Sequence, residues 1–466
     1  MIILLLALAQ IDPILDEVWK EKGVAPAARS SDAEFLRRVT LDLTGVIPTE
    51  DEVRAFLEKP DRAKKIDGLL ASPRYAIFMG ETFATSLYGY QAAFETMREP
   101  LEYWLRQQFE KNAPYDATVR ALLTASGPNG GGGPVHFIGR FYPQTGAPED
   151  LAAKVSRSFL GIRLNCARCH DHPFEKWSQE DFYQLAAFFK GTDRKYITQG
   201  AIEIVDDVER AKARWKPRDY EKAVKPRFLS GAEPQTAALR EELALFVAAN
   251  RQFARAFANR LWYPFFGRGI VHPIDNFGKK NPPSVPKLLE WLTDEAIRLK
   301  FDVKALIRTI VTSRAYQLTS VRESADPERG RVFAHQAVRA LTPEQTADSM
   351  LRALQLEEAV GGAKAGSIRA KFLQFLVRNM LDQDLTSVFE YRESVQDIMT
   401  KMTIELREVR GKFLAEKPSV ERVYLAVLSR RPSAGERAAC DKFLKRGTME
   451  EVFITLLNSH EFAFNH

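Results

Sequence analysis

Seven consecutive residues, Cys166-Ala167-Arg168-Cys169-His170-Asp171-His172, hold two of the chain's three cysteines and two of its seven histidines. Three chemistries suit that spacing. In the first, Cys166 and Cys169 form thioether bonds to the vinyl groups of a haem, and His170 binds the iron as proximal ligand. Two residues between the thiols let one helical turn meet both vinyls, and the adjacent histidine then points beneath the ring. In the second, Cys166, Cys169, His170 and His172 offer ligands to zinc. Structural zinc sites draw their second ligand pair from a distant segment, and here Cys440 stands alone. In the third, the cysteines form a disulfide or a redox dithiol, which leaves His170 without a role.

In the haem reading the flanking His172 and Asp171 would tune the site. Asp171 is placed either to accept a hydrogen bond from an imidazole N–H, raising ligand basicity, or to make a turn with Pro173. Arg168 would be open to a propionate, and Phe174 and Trp177 either wall a ring or pack beneath the loop. For a sixth iron ligand His136 is the candidate within the same stretch of chain. His272, His335, His460, His466, Met380, Met399 and Met402 are the others considered. A five-coordinate iron would be open to small ligands and a six-coordinate one suits electron transfer, so whether the chain is an enzyme stays open.

Helical signals must position these residues. Ser31 and Asp32 cap a helix carrying Phe35, Leu36, Val39 and Leu43, which Gly45 and Pro48 end. Thr49 and Glu52 form a capping box, Asp61 opens a third helix, and Pro73 stops it. From Pro148 the apolar positions Leu151, Val155, Phe159 and Ile162 predict an amphipathic helix running into the cysteines; Ser178 and Asp181 then supply another capping box. The glycine-rich "GPNGGGGP" (127–134) predicts a loop tip, and "KYITQGAIEIV" (195–205) one small hairpin. Helical patterns resume at 234–263, 284–299, 302–315, 342–357, 366–381, 387–414, 418–429 and 448–458. The expected fold is mainly α: a multi-helical two-domain protein with at most a small β-hairpin between the domains. The expected division is 10–200, a charged linker 201–226, and 227–466.

Lysine and arginine number 67 against 61 aspartates and glutamates, a net charge of +6, but the signs are interspersed and no basic stripe calls for nucleic acid. The composition, 45% hydrophobic with 11% aromatic, supports real cores. Residues 1–9 read as an abbreviated signal peptide, with Ile2 to Leu8 as its apolar run, although no basic residue precedes it. The expectation is an exported protein, periplasmic or extracellular, without a transmembrane segment, since no other apolar run approaches the roughly 18 residues required.

The blocks "DAEFLRRVTLDLTGVIPTEDEVRAFL" and "FLGIRLNCARCHDHPFEKWSQEDFYQLAAFF" resemble the planctomycete cytochrome-c-like domain of secreted proteins. "NRQFARAFANRLWYPFFGRGIVHPIDNFGKKNPPSVPKLLEWL" and "VYLAVLSRRPSAGE" are similar to the planctomycete-specific domain that follows it; both families are of unknown function. The resemblance implies a helical, exported two-part protein with Cys166, Cys169 and His170 on the family's Cys-x-x-Cys-His positions. In the second segment Arg260, Arg268 and Asp275 suggest either a cleft for an anionic or polysaccharide ligand, or arginines bonded to buried carbonyls around a Gly267–Gly269 turn. The reading is therefore a covalent haem c protein in electron transfer or haem-based redox chemistry, working with a redox partner protein or an extracellular polymer. The alternatives are a non-redox binding or scaffold protein with a zinc site or disulfide and, behind it, a polysaccharide-processing enzyme.

Overall fold

A computed structural model describes residues 2–89, 98–129, 133–141, 148–198, 201–321, 326–356, 369–370, 373, 376 and 412–466. Helices dominate, and the described strands form only a three-stranded and a two-stranded sheet. The helical patterns read at 366–381 and 387–414 fall almost wholly outside the described residues, as do Met380, Met399 and Met402.

Local signals became caps where a polar side chain preceded an apolar face. Ser31 accepts from the Glu34 N–H, and Gly45, at φ 70°, ends the Asp32–Thr44 helix by donating to Leu41 O. Thr49 with Glu52, and Ser178 with Asp181, form the reciprocal bonds of capping boxes, and Asp61 caps Arg62–Ala71. Asn250 divides the long pattern at 234–263 into Leu239–Ala249 and Arg251–Phe266, accepting from Gln252 N–H.

The chain forms two compact units, each assembled from several segments. The first comprises Met1–Val18, Gly80–Tyr88 and Glu95–Ile310; the second, Trp19–Met79, Gly89–Phe94 and Val311–His466. The charged stretch 201–226 lies inside the first and includes a strand and a short helix, Val208–Lys212.

In the first unit the hairpin is built by β2 (Thr192–Thr198) and β3 (Ala201–Asp206), with β1 (Gly127–Pro128) joining the other edge of β3; the sheet order is β1-β3-β2, antiparallel throughout. A two-residue strand was not visible as alternation in the sequence. Beside the sheet, Tyr115 stacks on Phe253 and Phe257 at 5.4 and 4.4 Å and meets Phe83 edge-on at 5.8 Å. The Leu239–Ala249 helix packs on Tyr115–Thr124, and Arg240 reaches through to Leu123 O and Ala125 O at 3.0 and 2.7 Å.

The second unit has its own core, in which Leu41, Ile47, Met350, Leu351, Val423, Val427 and Phe453 are packed. Two buried arginines organise it. Arg37 donates to Val427 O and Phe462 O, and Arg38 to Tyr316 O and Leu318 O, so both satisfy backbone carbonyls in and after helix ends rather than projecting to solvent. A second strand pair, β4 (Arg339–Ala340) with β5 (Phe464–Asn465), closes it.

Candidate functional site

The helix leading to the cysteines spans Pro148–Phe159 and stops short of Ile162. The break is at Gly161, whose φ of +67° suits glycine, while Leu160 and Ile162 N–H groups both donate to Ser156 O. A Cβ there would lie 2.7 Å from the Phe277 ring, and Gly161 O accepts from Phe277 N–H at 2.8 Å. Past the break the chain tightens into a 3-10 helix, Leu164–Arg168, with Cys169 as its last cap. Side chains three apart eclipse in such a turn. Leu164 and Ala167 therefore share the buried face, and Cys166 and Cys169 share the exposed one, both as free thiols.

The two histidines are held in different tautomers. His170 Nδ1 lies 2.7 Å from Asp171 O, a carbonyl that can only accept, so Nδ1 carries the proton and Nε2 keeps its lone pair. His172 Nδ1 instead accepts from Phe174 N–H (3.2 Å) and Glu175 N–H (3.1 Å), which places its proton on Nε2. So only His170 offers a ring nitrogen to a metal while these bonds stand. The expected support from Asp171 comes from its backbone carbonyl; its carboxylate accepts from Gln179 N–H at the start of the next helix. Among the described residues no three His, Cys, Asp or Glu side chains converge as a metal cage would require.

Arg168 is engaged by Asp150 at 3.1 Å and Asp219 at 3.9 Å, and its carbonyl accepts from Tyr183 OH and Gln179 Nε2. Phe174 is 58% exposed, with Lys280 Nζ 3.3 Å from its ring centre, so it does not pack beneath the loop. Lys176 covers Trp177 in the same way, at 4.9 Å.

The distinctive run of the second segment anchors this loop. Asp275 accepts from Arg163 Nε and Nη2 (3.1 and 2.7 Å) and from Arg157 Nε (2.5 Å), bracketing the break at Gly161. Burial pushes the Asp275 carboxyl up, but the Arg163 and Arg157 bonds outweigh it and leave its pKa below the ordinary value. Farther along, Glu175 Oε1 accepts from Lys279 N–H at 2.7 Å, and Gln252 donates to Leu160 O at 2.8 Å. Arg157, Arg163 and Glu175 carried no signal in the sequence, because the groups they meet lie about a hundred residues away.

The other candidates sit elsewhere. Arg260 donates to Arg157 O at 3.4 Å and lines a narrow cleft with Tyr115, Ser158 and Phe159. Half-buried Arg268 lies near His272, whose pKa is pushed down by burial and by that guanidinium. Asn259 is buried and clamps the following turn, exchanging two 2.9 Å bonds with the Val271 backbone. His136 is buried, with Nε2 3.1 Å from Asn129 O and its own carbonyl bonded by Tyr88 OH; these bonds lead away from the cysteine loop. His335, His460 and His466 belong to the second unit.

Fold and site together define a class: a mainly helical protein presenting a Cys-x-x-Cys-His turn on the exposed surface of one compact unit. Within it, residues 10–194 match the family model PSCyt2, described as a protein of unknown function (DUF1549). Residues 239–403 match PSD1, likewise a protein of unknown function (DUF1553), so the two follow each other in the expected order. No curated protein and no solved structure matches the chain. Among the described residues no helix is long and apolar enough to cross a membrane.

Proposed function

We propose that this chain is an exported c-type haem protein acting in electron transfer or haem-based redox chemistry. Cys166 and Cys169 would tether the group and His170 Nε2 would ligate its iron; bound there, the group supplies one-electron chemistry. The supporting observation is the tautomer of His170. Asp171 O keeps the proton on Nδ1, which orients the ring and leaves Nε2 as the donor atom, beside two free thiols on one exposed face. His172, fixed by two backbone N–H groups, shapes the turn rather than binding. His136, whose Nε2 is bonded to Asn129 O, would serve as a sixth ligand through Nδ1, which has no hydrogen-bond partner among the described residues.

Thioether attachment takes place outside the cytoplasm, so this function carries the export of the chain with it, and the electron partner is a separate protein or an extracellular polymer. The test is an absorption spectrum, oxidised and dithionite-reduced, of the full chain exported from a host with the haem-attachment machinery. A Soret band that survives acid-acetone extraction and is lost in Cys166→Ala/Cys169→Ala supports the proposal. A colourless mature protein overturns it, and metal and thiol analysis then decides between zinc and a disulfide.

A further inference from the structure

The bonds of His172 reach the His170 ring through a single peptide. The carbonyl of Asp171 and the N–H of His172 belong to one planar unit, so fixing one end aims the other. The N–H donates to Trp177 O at 2.8 Å, and the carbonyl faces His170 Nδ1 at 2.7 Å. The His172 ring brings the chain back to meet that N–H. Its Nδ1 accepts from Phe174 N–H and Glu175 N–H at 3.2 and 3.1 Å, while Pro173, next in the chain, has no N–H to offer. The pattern is that of an Asx turn, in which a side-chain acceptor bonds backbone N–H groups just ahead of it, with Nδ1 standing where the Oδ1 of an asparagine would. Phe174 lies edge-on to the same ring, centroids 6.4 Å apart.

Two outer ties hold this turn in place. Gln179 N–H donates to the Asp171 carboxylate at 2.8 Å, and Lys279 N–H to Glu175 Oε1 at 2.7 Å. His170 itself is exposed, and among the described residues its ring has the Asp171 carbonyl as its hydrogen-bond partner. Water can bond either nitrogen of an exposed imidazole, so its tautomer depends on that carbonyl being aimed.

We infer that His172 is a positioning residue for His170. Its ring folds residues 172–177 into a turn, the turn holds the Asp171–His172 peptide, and the peptide keeps the His170 proton on Nδ1 with Nε2 free as a donor atom. The inference deepens the proposed role of His170 as iron ligand, and it makes His172 a backbone acceptor in place of a metal ligand.

The experiment compares His172→Leu, which removes the acceptor, with His172→Asn, which restores one at the same distance along the side chain. Full chains labelled with ring-15N histidine, without added haem or metal, are studied at about pH 9, above the ordinary imidazole range. Long-range 1H–15N correlation spectra report each tautomer, and the His170 signals are those missing in His170→Gln. Wild type should carry the proton mainly on Nδ1. The Nδ1–H to Nε2–H ratio should fall about fivefold in His172→Leu, the worth of one neutral hydrogen bond, and recover to within about twofold in His172→Asn. His136, whose Nε2 lies 3.1 Å from Asn129 O, should keep its signals in every folded variant. If His172→Leu loses them, wild type and His172→Asn still decide: Nδ1–H in both supports the inference, and Nε2–H in either overturns it. An unchanged ratio in folded His172→Leu, or no recovery in His172→Asn, overturns it as well. The spectra need no bound group, so a chain that takes up no haem leaves this result standing.

Discussion

Asp275→Asn tests whether the second segment holds the cysteine turn in place. The substitution keeps volume and one acceptor oxygen but removes the charge that gathers three N–H donors from Arg157 and Arg163. Charge-assisted bonds are worth about 1.5–3 kcal/mol each, yet the two arginine side chains are 36% and 40% exposed and rehydrate when released. A discounted loss of about 2–3 kcal/mol is therefore expected, equivalent to a Tm fall of roughly 5–10 °C for a unit of this size. Urea unfolding supplies the stability, and hydrogen exchange of residues 160–177 should rise in the variant. The pH dependence fixes the cause. The folded carboxyl lies below its ordinary value, so its contribution is fully present above the unfolded pKa of about 4 and fades as pH falls through the lower folded value. The gap between wild type and variant should close toward pH 2. A difference under about 0.5 kcal/mol at pH 7, or unchanged exchange in 160–177, would refute the anchoring argument.

Two further outcomes rest on the same geometry. Gly161→Ala places a Cβ at φ +67° against the Phe277 ring and should cost about 2–4 kcal/mol in urea unfolding; a loss below about 1 kcal/mol would mean the turn relaxes freely. Lys154 binds fewer protons folded than unfolded between about pH 7 and its ordinary 10.5, so wild-type stability should climb over that range and that of Lys154→Met should not. At about 1.4 kcal/mol per pH unit the ceiling is about 5 kcal/mol; partial solvent access makes about 2 kcal/mol the expected climb, measured by chemical denaturation at pH 7 and 9.5.

What could be read in the sequence is what neighbouring residues decide. The Thr49–Glu52 and Ser178–Asp181 boxes, the Gly45 stop and the Asp61 cap all act within four residues, and each stands where the pattern put it. The apolar period from Leu151 failed at Ile162 because Gly161 answers to Phe277, over a hundred residues on, rather than to its own helix. Distance hid β1 in the same way: Gly127–Pro128 is a strand only because β3 offers it an edge. At the candidate site the Cys-x-x-Cys-His spacing was plain, but the tautomers were not, since they depend on which backbone groups the folded turn directs at each Nδ1. Asp275 drew notice in the sequence as part of a cleft, and its partners Arg157 and Arg163 drew none. A carboxylate's choice among arginines is settled by packing.

The two family matches divide the chain at a place where packing does not, and that has a testable consequence. A fragment of residues 10–226 keeps the whole first match and the cysteine turn. It deletes Phe253 and Phe257, which stack on Tyr115, and Phe246, which meets Phe188 at 6.1 Å. Uncovering those two buried rings forfeits about 1.5–3 kcal/mol each, with about 0.5–1.5 kcal/mol more for each ring pair. The cut also strips Arg37 of Val427 O and Phe462 O, and Arg38 of Tyr316 O and Leu318 O, leaving Arg38 its ion pair with Glu34. Together these losses match the roughly 5–15 kcal/mol by which a whole domain is stable. The fragment should show no cooperative urea transition and little near-ultraviolet circular dichroism, while the full chain shows both. If it instead unfolds cooperatively, the first match is a folding unit on its own, and the contacts from the second segment adjust the cysteine turn without being needed to form it.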